Sequence, residues 1–425
     1  MKTADFSHGA SPSQMDPLIA AAGRALACGD VLGALNCVAL REDAAALALR
    51  GIAMARLGDL DRGRKLLRRA SRGFGQAEVV AQARCVVAEA EIAFVARDLG
   101  WSPRALEAAR AALEQHGDWV NAGHARHLEA RRLLLFGQLD DAERILMEAV
   151  PSLPPALRAA RELVVAGLAI RRLKASAARA ALARAAKAAR YAGIAALMAE
   201  VDSTAALLES PAARRIVPGG QQLLLLEDVE SLLASGAVIV DACRCAVRHA
   251  ATVVSLGRRP VLFALVRALG EAWPDEASRE LLIARAFRTK YADESHRARL
   301  RVEIGRLRKA VRPVASLTAT KRGFALAPHD ACGIVVLAPA VEEEHGDVLA
   351  LLADGEAWSS SALGLALGSS ARTVQRALDS LLAAGKVQPL GRGRAQRWTS
   401  AQLPGFPTTL LLPGPLPGSE PADLR

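Results

Sequence analysis

Aromatic residues and long apolar runs are both scarce in this chain of 425 residues. Phe, Trp and Tyr together make up 4% of it, whereas alanine and leucine dominate. This composition favours helices over an all-β fold, because strands prefer aromatic and β-branched residues. No stretch approaches the roughly 18–20 uncharged apolar residues of a membrane span, since Arg24 and Asp30 interrupt the best one, 18–40. The N-terminus has no apolar secretory region, so we predict a soluble cytoplasmic protein without a membrane partner.

The signatures of common enzymes and metal sites are also missing. There is no GxxxxGK[ST], HExxH or GxSxG motif, and no GxGxxG that opens a helix after a strand. The six cysteines are scattered, with no CxxC pair and no histidine at ligand spacing. We therefore predict no catalytic residue, no metal and no cofactor, and we do not expect an enzyme.

The positive charge that the chain does have is concentrated near its C-terminus. Residues 296–325 contain nine Lys/Arg and one acid, and residues 370–400 contain six Lys/Arg and one acid. Their net charges of +8 and +5 together exceed the +11 of the whole chain. This asymmetry predicts a polyanion-binding surface in two small modules.

The N-terminal half reads as helical over 15–215, after a leader at 1–14 that we predict to be disordered. Two Ala/Leu-rich helices, Ala46–Leu57 and His124–Phe136, both end in Gly-x-Leu-Asp and are followed by a second helix. Glycine ends the first helix by accepting a left-handed conformation, and Asp61 or Asp140 can cap the second. Such pairs bury their apolar faces only by stacking on neighbours. This half resembles a tetratricopeptide-like solenoid without the Trp/Tyr signature of that family; an irregular helical bundle is the alternative.

A change of pattern after Pro218–Gly220 predicts an α+β unit at 220–328. Its expected parts are antiparallel strands within Val238–Val247 and Thr252–Leu256, helices Pro260–Ala272, Ser278–Arg288 and Glu294–Val311, and a β-rich stretch at Ser316–Leu326. A linker is expected at 329–344 with one strand-like run, Gly333–Leu337. A second compact unit of three helices and a hairpin follows at 345–402, and 403–425 is a Pro/Gly-rich tail.

The helix Glu294–Val311 carries most of the first basic stretch. Its apolar residues recur at steps of four, three and four, which places Leu300, Ile304, Leu307 and Val311 in one narrow stripe. Lysine and arginine side chains, which are long enough to reach a phosphate or a base edge, point in every other direction. An α-helix fits the major groove of DNA, where arginine can pair with guanine. The alternative is a surface helix whose arginines are merely solvated.

This order of parts resembles the C-terminal DNA-binding domain of OmpR/PhoB-type response regulators. The matching segments are 259–263, 278–282, 306–309 and, in the hairpin called the wing, 320–324. The resemblance implies a third helix that reads the major groove, with Arg301 and Arg306 facing bases, and Thr320 and Arg322 at the backbone or minor groove. The helical half occupies the place of that family's receiver domain. The predicted DNA-contacting residues are Arg297, Arg299, Arg301, Arg306, Arg308, Lys309, Thr320, Lys321 and Arg322.

The second basic stretch resembles the winged helix-turn-helix domains of many bacterial regulators, particularly in the segment 370–378. A helix starting after Ser370 has Val374, Leu378 and Leu381 on its inner side, and a hairpin with its tip at 391–394 follows. Trp398 is predicted to be a core residue of this hairpin. The predicted DNA-contacting residues are Ser370, Arg372, Thr373, Gln375, Arg376, Arg392, Arg394 and Arg397.

The sequence thus predicts a mainly α chain, in which a tetratricopeptide-like helical region precedes two small α+β winged-helix domains. The expected function is a bacterial-type, sequence-specific transcriptional regulator that binds double-stranded DNA in the nucleoid. Its helical half would sense a signal, bind a protein partner or self-associate. The alternative is a helical-repeat adaptor that assembles protein partners and tethers them non-specifically to nucleic acid.

Overall fold

The computed structural model describes residues 16–98, 100–148, 153–217, 220–257, 259–289, 293–330, 333–340, 345–352, 357–391, 393, 396–400 and 410–412. The leader predicted at 1–14 lies outside them, as does the tail predicted at 403–425 apart from 410–412. The described chain is mainly helical, with an α+β region of small sheets in its C-terminal part.

Eleven helices occupy the N-terminal half of the described chain. They are α1 Pro17–Ala27, α2 Val31–Val38, α3 Ala44–Arg56, α4 Leu60–Gly73, α5 Val79–Val95, α6 Pro103–Gln115, α7 Trp119–Leu135, α8 Leu139–Met147, α9 Pro155–Arg171, α10 Ala175–Ala192 and α11 Ala195–Ala206. Consecutive helices from α1 to α8 pack against one another as antiparallel neighbours joined by short turns.

The turn between α3 and α4 shows how these pairs form. Gly58 has φ +91°, the left-handed conformation that lets α3 stop. The N-cap of α4 is Asp59, whose side chain accepts a hydrogen bond from the backbone N–H of Arg62. The predicted cap, Asp61, lies in the first turn of the helix instead. Asp140 likewise lies in the first turn of α8 rather than at its cap. Both aspartates still face the positive end of the helix dipole.

The second half begins with a mixed sheet that is larger than predicted. Its strands are β1 Ala213–Val217, β2 Gly220–Leu224, β3 Val238–Asp241, β4 Ala246–His249 and β5 Thr252–Ser255, with helix α12 Leu226–Ala234 between β2 and β3. A sixth strand comes from the region predicted as a linker. The spatial order is β2-β1-β9-β3-β4-β5, where β9 is Ile334–Pro339, and β9 runs parallel to β3.

The predicted boundaries at 220–328 and 329–344 therefore differ from the structure. The unit begins with β1 at Ala213 and includes β9, whose residues 334–338 are all buried. A continuous apolar run of this kind is typical of a strand with both faces covered. Within the sheet, β9 is a central strand that pairs with β1 on one side and β3 on the other.

Three helices and a small sheet follow β5. The helices are α13 Pro260–Ala272, α14 Arg279–Phe287 and α15 Glu294–Val311, and the strands are β6 Ala277–Ser278, β7 Ala315–Ala319 and β8 Gly323–Pro328. The hairpin β7–β8 pairs on its other side with β6, which precedes α14. One core joins these helices, the hairpin and the neighbouring strands β3, β4 and β9.

The last described part is a second small module. It contains α16 Gly346–Leu352, α17 Ser360–Leu367, α18 Ala371–Ala383 and the hairpin of β10 Val387–Leu390 and β11 Arg397–Ser400. Trp358, just before α17, pairs with Trp398 of β11. The arrangement repeats that of the first module, where β6 precedes a helix and pairs with the second strand of the hairpin.

The chain divides into two compact units, and this division differs from the predicted domains. The first comprises Met1–Val165, Arg184–Val201 and Asp347–Arg425, and the second comprises Ala166–Ala183 and Asp202–Gly346. The second small module and the helices α1–α8 thus belong to one unit, although 345–402 was expected to be separate from 15–215. The reason is a shared core, in which Phe94, Leu135 and Phe136 pack with the buried residues of α16–α18.

Candidate nucleic-acid interface

Helix α15 has the buried stripe that its sequence predicts. Leu300, Ile304, Leu307 and Val311 are the buried residues of this helix, and they belong to the core beneath α13 and the β7–β8 hairpin. Asp293 caps the helix by accepting from the backbone N–H of His296. The cations of α15 are exposed on the remaining surface, so the helix presents a charged face that the core holds in place.

Three arginines of α15 have acidic neighbours on the helix itself. Arg297 and Arg301 lie 3.6 and 3.3 Å from carboxylate oxygens of Glu294. Arg306 lies 2.8 Å from Glu303, and its side chain is still 64% exposed. Exposed ion pairs contribute little to stability and are weakened by salt. These guanidinium groups can therefore exchange a carboxylate for a phosphate or a base edge at small cost.

Two other predicted arginines hold the module together. The guanidinium of Arg299 lies over the ring of Phe287, 4.5 Å from its centroid, and so connects α15 with the end of α14. The Nε of Arg308 donates to the carbonyl oxygen of Leu317 in β7 at 2.9 Å. Lys309, on the face opposite the stripe, is exposed and has no ion-pair partner among the described residues.

The turn between β7 and β8 is fixed by a network of hydrogen bonds. Thr320 and Gly323 exchange bonds: the Thr320 amide donates to the Gly323 carbonyl, and the Gly323 amide donates to the Thr320 hydroxyl. Arg279, from the start of α14, donates to the carbonyl oxygens of Lys321 and Thr320 at 2.9 and 3.1 Å. These bonds leave the side chain of Lys321 exposed at the tip.

Glu276 is the acidic partner of this turn. Hydrogen bonds from Thr320 and Arg322 hold the pKa of this carboxyl below its ordinary value. The Nε of Arg322 lies 2.6 Å from Glu276, while the Arg322 side chain remains 84% exposed. Thr320 is therefore a positioning residue within the turn, whereas Lys321 and Arg322 present charge to the outside. Arg279 and Glu276 are absent from the residues predicted as sites; Arg279 stands in the matched segment 278–282 without an assigned role.

In the second module, the first turns of α18 bear the predicted polar residues. Ser370 caps the helix by accepting from the backbone N–H of Thr373, and the two hydroxyls lie 2.8 Å apart. Gln375 accepts from Ser360 and donates to Asp379. Arg372 and Arg376, one turn apart, are exposed and have no ion pair or hydrogen bond within the described chain. They are the two cations of this helix that are available to a ligand.

The hairpin of the second module contains three predicted DNA-contacting residues, Arg392, Arg394 and Arg397. Arg392 and Arg394 lie outside the described residues. Arg397 is half-buried and acts on Asp98: burial raises the pKa of Asp98, but Arg64 and, more weakly, Arg397 bring it below its ordinary value. Arg397 therefore lies near the helical region rather than on the outward face. Trp398 is buried at 2% exposure, as predicted, and donates from Nε1 to Ser360.

Among the residues that the structure describes, no group of three or more His, Cys, Asp or Glu side chains could hold a metal ion. No helix within the described ranges has the length and apolar character needed to cross a membrane.

The comparisons with known proteins add no relative. Neither the models of known protein families, nor the curated proteins, nor the solved structures contain a match to this chain.

Proposed function

We propose that this chain is a sequence-specific DNA-binding transcriptional regulator. In this proposal α15 and α18 enter the major groove of double-stranded DNA, and the two hairpins contact the phosphate backbone. The helical half supplies signal sensing, partner binding or self-association, and the protein acts in the cytoplasm on the nucleoid.

The exposed surface of α15 carries the proposal. Its apolar stripe is buried and its cations occupy the rest of the surface. An α-helix with this distribution matches the width of the major groove, where a bidentate arginine recognises guanine. Arg301 and Arg306 are the proposed base-contacting residues, and Lys309 is proposed to contact phosphate.

The arrangement around α15 supports the winged-helix interpretation. Three helices are followed by a hairpin, and a short strand before the second helix pairs with that hairpin. Arg279 fixes the turn of the hairpin, which keeps Lys321 and Arg322 at its tip. A preformed turn loses less conformational entropy on binding than a mobile one. The strand β9, which follows the hairpin and returns to the sheet, is a departure from the OmpR/PhoB-type order of parts.

The second module supports a second contact to DNA. Ser370 caps α18, and Arg372 and Arg376 project from its first two turns without partners in the described chain. This is the part of a recognition helix that contacts bases in helix-turn-helix proteins. Because the module shares a core with Phe94, Leu135 and Phe136, its recognition helix is held by the first unit.

Protein–DNA crosslinking followed by sequencing in native cells tests the proposal. Recurrent, discrete sites with a common sequence are expected, and a variant with Arg306→Ala and Arg372→Ala should lose them. The matched control is Lys187→Ala, which removes an exposed cation of α10 outside both modules. A uniform distribution over the genome would contradict sequence-specific regulation and would favour the adaptor that tethers protein partners to nucleic acid.

A further inference from the structure

Helix α5 contains a carboxylate in an unusual position. Glu91 is 3% exposed, and most of its neighbours along the helix are apolar and buried. Carboxylates are almost never buried to this extent without partners that satisfy them, because desolvation penalises the charge. A carboxylate buried to this extent therefore indicates a bound partner that satisfies it.

The partners of Glu91 are two backbone amides from the far end of the chain. Leu411 N–H donates to Oε1 at 2.6 Å, and Leu412 N–H donates to Oε2 at 2.7 Å, across 320 and 321 positions of sequence. Leu412 has φ +52°, in the left-handed region. A residue in this conformation turns successive N–H groups toward one point, which is how backbone concavities bind anions.

The surroundings complete a two-part recognition site. The side chain of Leu412 is 5% exposed and belongs to the same core as Cys85, Ala88 and Ile92. Leu410 is half-buried and packs against the same core. On the other side of the carboxylate, Nε2 of His124 in α7 lies 3.2 Å from Oε2. The carboxylate of Glu91 thus accepts hydrogen bonds from backbone N–H groups, while the apolar core residues around it contact leucine side chains.

We propose that the surface around Glu91 is a peptide-recognition site, and that the chain's own segment Leu410–Leu412 is its resident occupant. The ligand class is an extended or turned peptide that offers two successive N–H groups and an apolar side chain after them. Proline cannot occupy either amide position because it has no N–H. The proposal is independent of DNA binding, since none of these residues belongs to α15, α18 or their hairpins.

The occupant is a segment that another peptide can replace. Recognition rests on backbone donors, which every residue except proline provides, and on leucine side chains. The positive φ of Leu412 is unfavourable for a residue with a side chain, so release of the segment relieves strain. Its covalent attachment raises its effective concentration at the site, which lets a segment of modest affinity exclude free peptides.

Binding of a peptide in trans tests the site directly. The probe is a fluorescein-labelled synthetic peptide of residues 406–416, and the readout is fluorescence anisotropy with full-length protein. We expect the Leu412→Asp variant, whose own segment is displaced, to bind the probe at least tenfold more tightly than the wild-type chain. Adding Glu91→Gln to that variant should abolish the gain, whereas adding Glu89→Gln should leave it. Glu89 lies on the same helix and pairs with Arg68 at the surface.

A second probe removes the dependence on the Glu91→Gln variant. The same peptide with N-methyl groups on Leu411 and Leu412 keeps both side chains but has neither donor. It should bind Leu412→Asp at least tenfold more weakly than the unmodified peptide. Equal binding of the two probes would overturn recognition by the carboxylate, and this result does not depend on whether the Glu91→Gln variant folds. Equal binding to wild-type and Leu412→Asp proteins, or binding to neither, would overturn the assignment of Leu410–Leu412 as occupant.

Hydrogen exchange of the unaltered chain supplies the remaining check. The amides of Leu411 and Leu412 should exchange at least tenfold more slowly than expected for an unstructured peptide, because both are hydrogen-bonded to a buried group. Exchange of both amides at the unstructured rate would contradict the proposal regardless of the peptide results.

Discussion

Trp358 and Trp398 exchange two backbone hydrogen bonds, with N···O distances of 2.8 and 2.7 Å. Both indole rings are buried. This pair fastens the chain before α17 to the second strand of the hairpin, as Ala277 and Phe324 do in the other module. The two modules, with different sequences, thus use the same junction to place a helix and a hairpin side by side.

Removal of the Trp358 side chain should destabilise the first unit. This side chain is fully buried, and the buried guanidinium of Arg97 lies 5.5 Å from its ring centroid. Trp358→Ala leaves a cavity and removes one of the ring contacts of Arg97, which should cost about 3–5 kcal/mol of unfolding free energy. Urea unfolding followed by circular dichroism measures the change. Trp119→Ala, at a site that is 47% exposed, is the control and should cost less than about 1 kcal/mol.

Periodicity was sufficient for the helices that carry the candidate site. The steps between Leu300, Ile304, Leu307 and Val311 predict which face of α15 is buried, because a single core face fixes the phase of an amphipathic helix. The observed helix also has the predicted bounds, Glu294–Val311. The same holds for α18, whose inner residues Val374, Leu378 and Leu381 are buried.

What periodicity could not provide were contacts between distant segments. The run Ile334–Pro339 has the composition of a strand, but its place between β1 and β3 depends on pairings that local sequence does not encode. The contact of Glu91 with Leu411 and Leu412 spans more than three hundred positions. Arg279 likewise acts on the turn at Thr320 through backbone carbonyls, which leave no side-chain pattern in the sequence.

Arg279 should matter for DNA affinity without contacting DNA. Its guanidinium donates to two carbonyl oxygens of the β7–β8 turn and lies 5.7 Å from the ring centroid of Phe324. Lysine has the charge but lacks the planar fork that satisfies both carbonyls. We expect Arg279→Lys to accelerate amide exchange in the turn and to weaken binding to a cognate duplex several-fold. The readouts are hydrogen exchange at residues 320–323 and anisotropy with labelled DNA. Unchanged exchange together with weaker binding would instead indicate direct contact of Arg279 with DNA.

Arg306 and Lys321 should have separable effects on binding. Arg306→Ala is expected to cost about 1–3 kcal/mol at a cognate site and to relax sequence preference, because it removes a proposed base contact. Lys321→Ala should weaken cognate and random duplexes alike and lower the slope of log affinity against log salt by about one. Titrations of both duplexes at several salt concentrations distinguish the two. Identical behaviour of the two variants would contradict the assigned roles, and Lys187→Ala should leave both affinities unchanged.

Gly63 should resist replacement because of its contact with the preceding helix. A Cβ atom at Gly63 of α4 would lie 2.9 Å from the carbonyl oxygen of Gly51 in α3. Alanine is the better helix former, yet here it must push two helices apart, so Gly63→Ala should destabilise by about 1–3 kcal/mol. Gly305 in α15 has no atom within 4 Å of its ideal Cβ position. Gly305→Ala should therefore stabilise the protein by about 0.5–1 kcal/mol, and denaturant unfolding reports both signs.

The burial of His127 should make the stability of the protein depend on pH. This side chain of α7 is buried, and burial, reinforced by the charges of Arg131 and His124, lowers its pKa well below the ordinary value of 6.5. The folded protein therefore keeps His127 neutral while the unfolded chain accepts a proton, so its contribution is complete above pH 6.5 and is lost as the pH falls below it. The loss can reach about 1.4 kcal/mol per pH unit. His127→Phe removes the titration, and the difference in unfolding free energy between the two proteins should change between pH 7 and pH 5 in favour of the variant. Carboxylates and histidines that do not interact with His127 titrate alike in both proteins and cancel in this difference, so a constant difference over that range would show that His127 takes up a proton in the folded state.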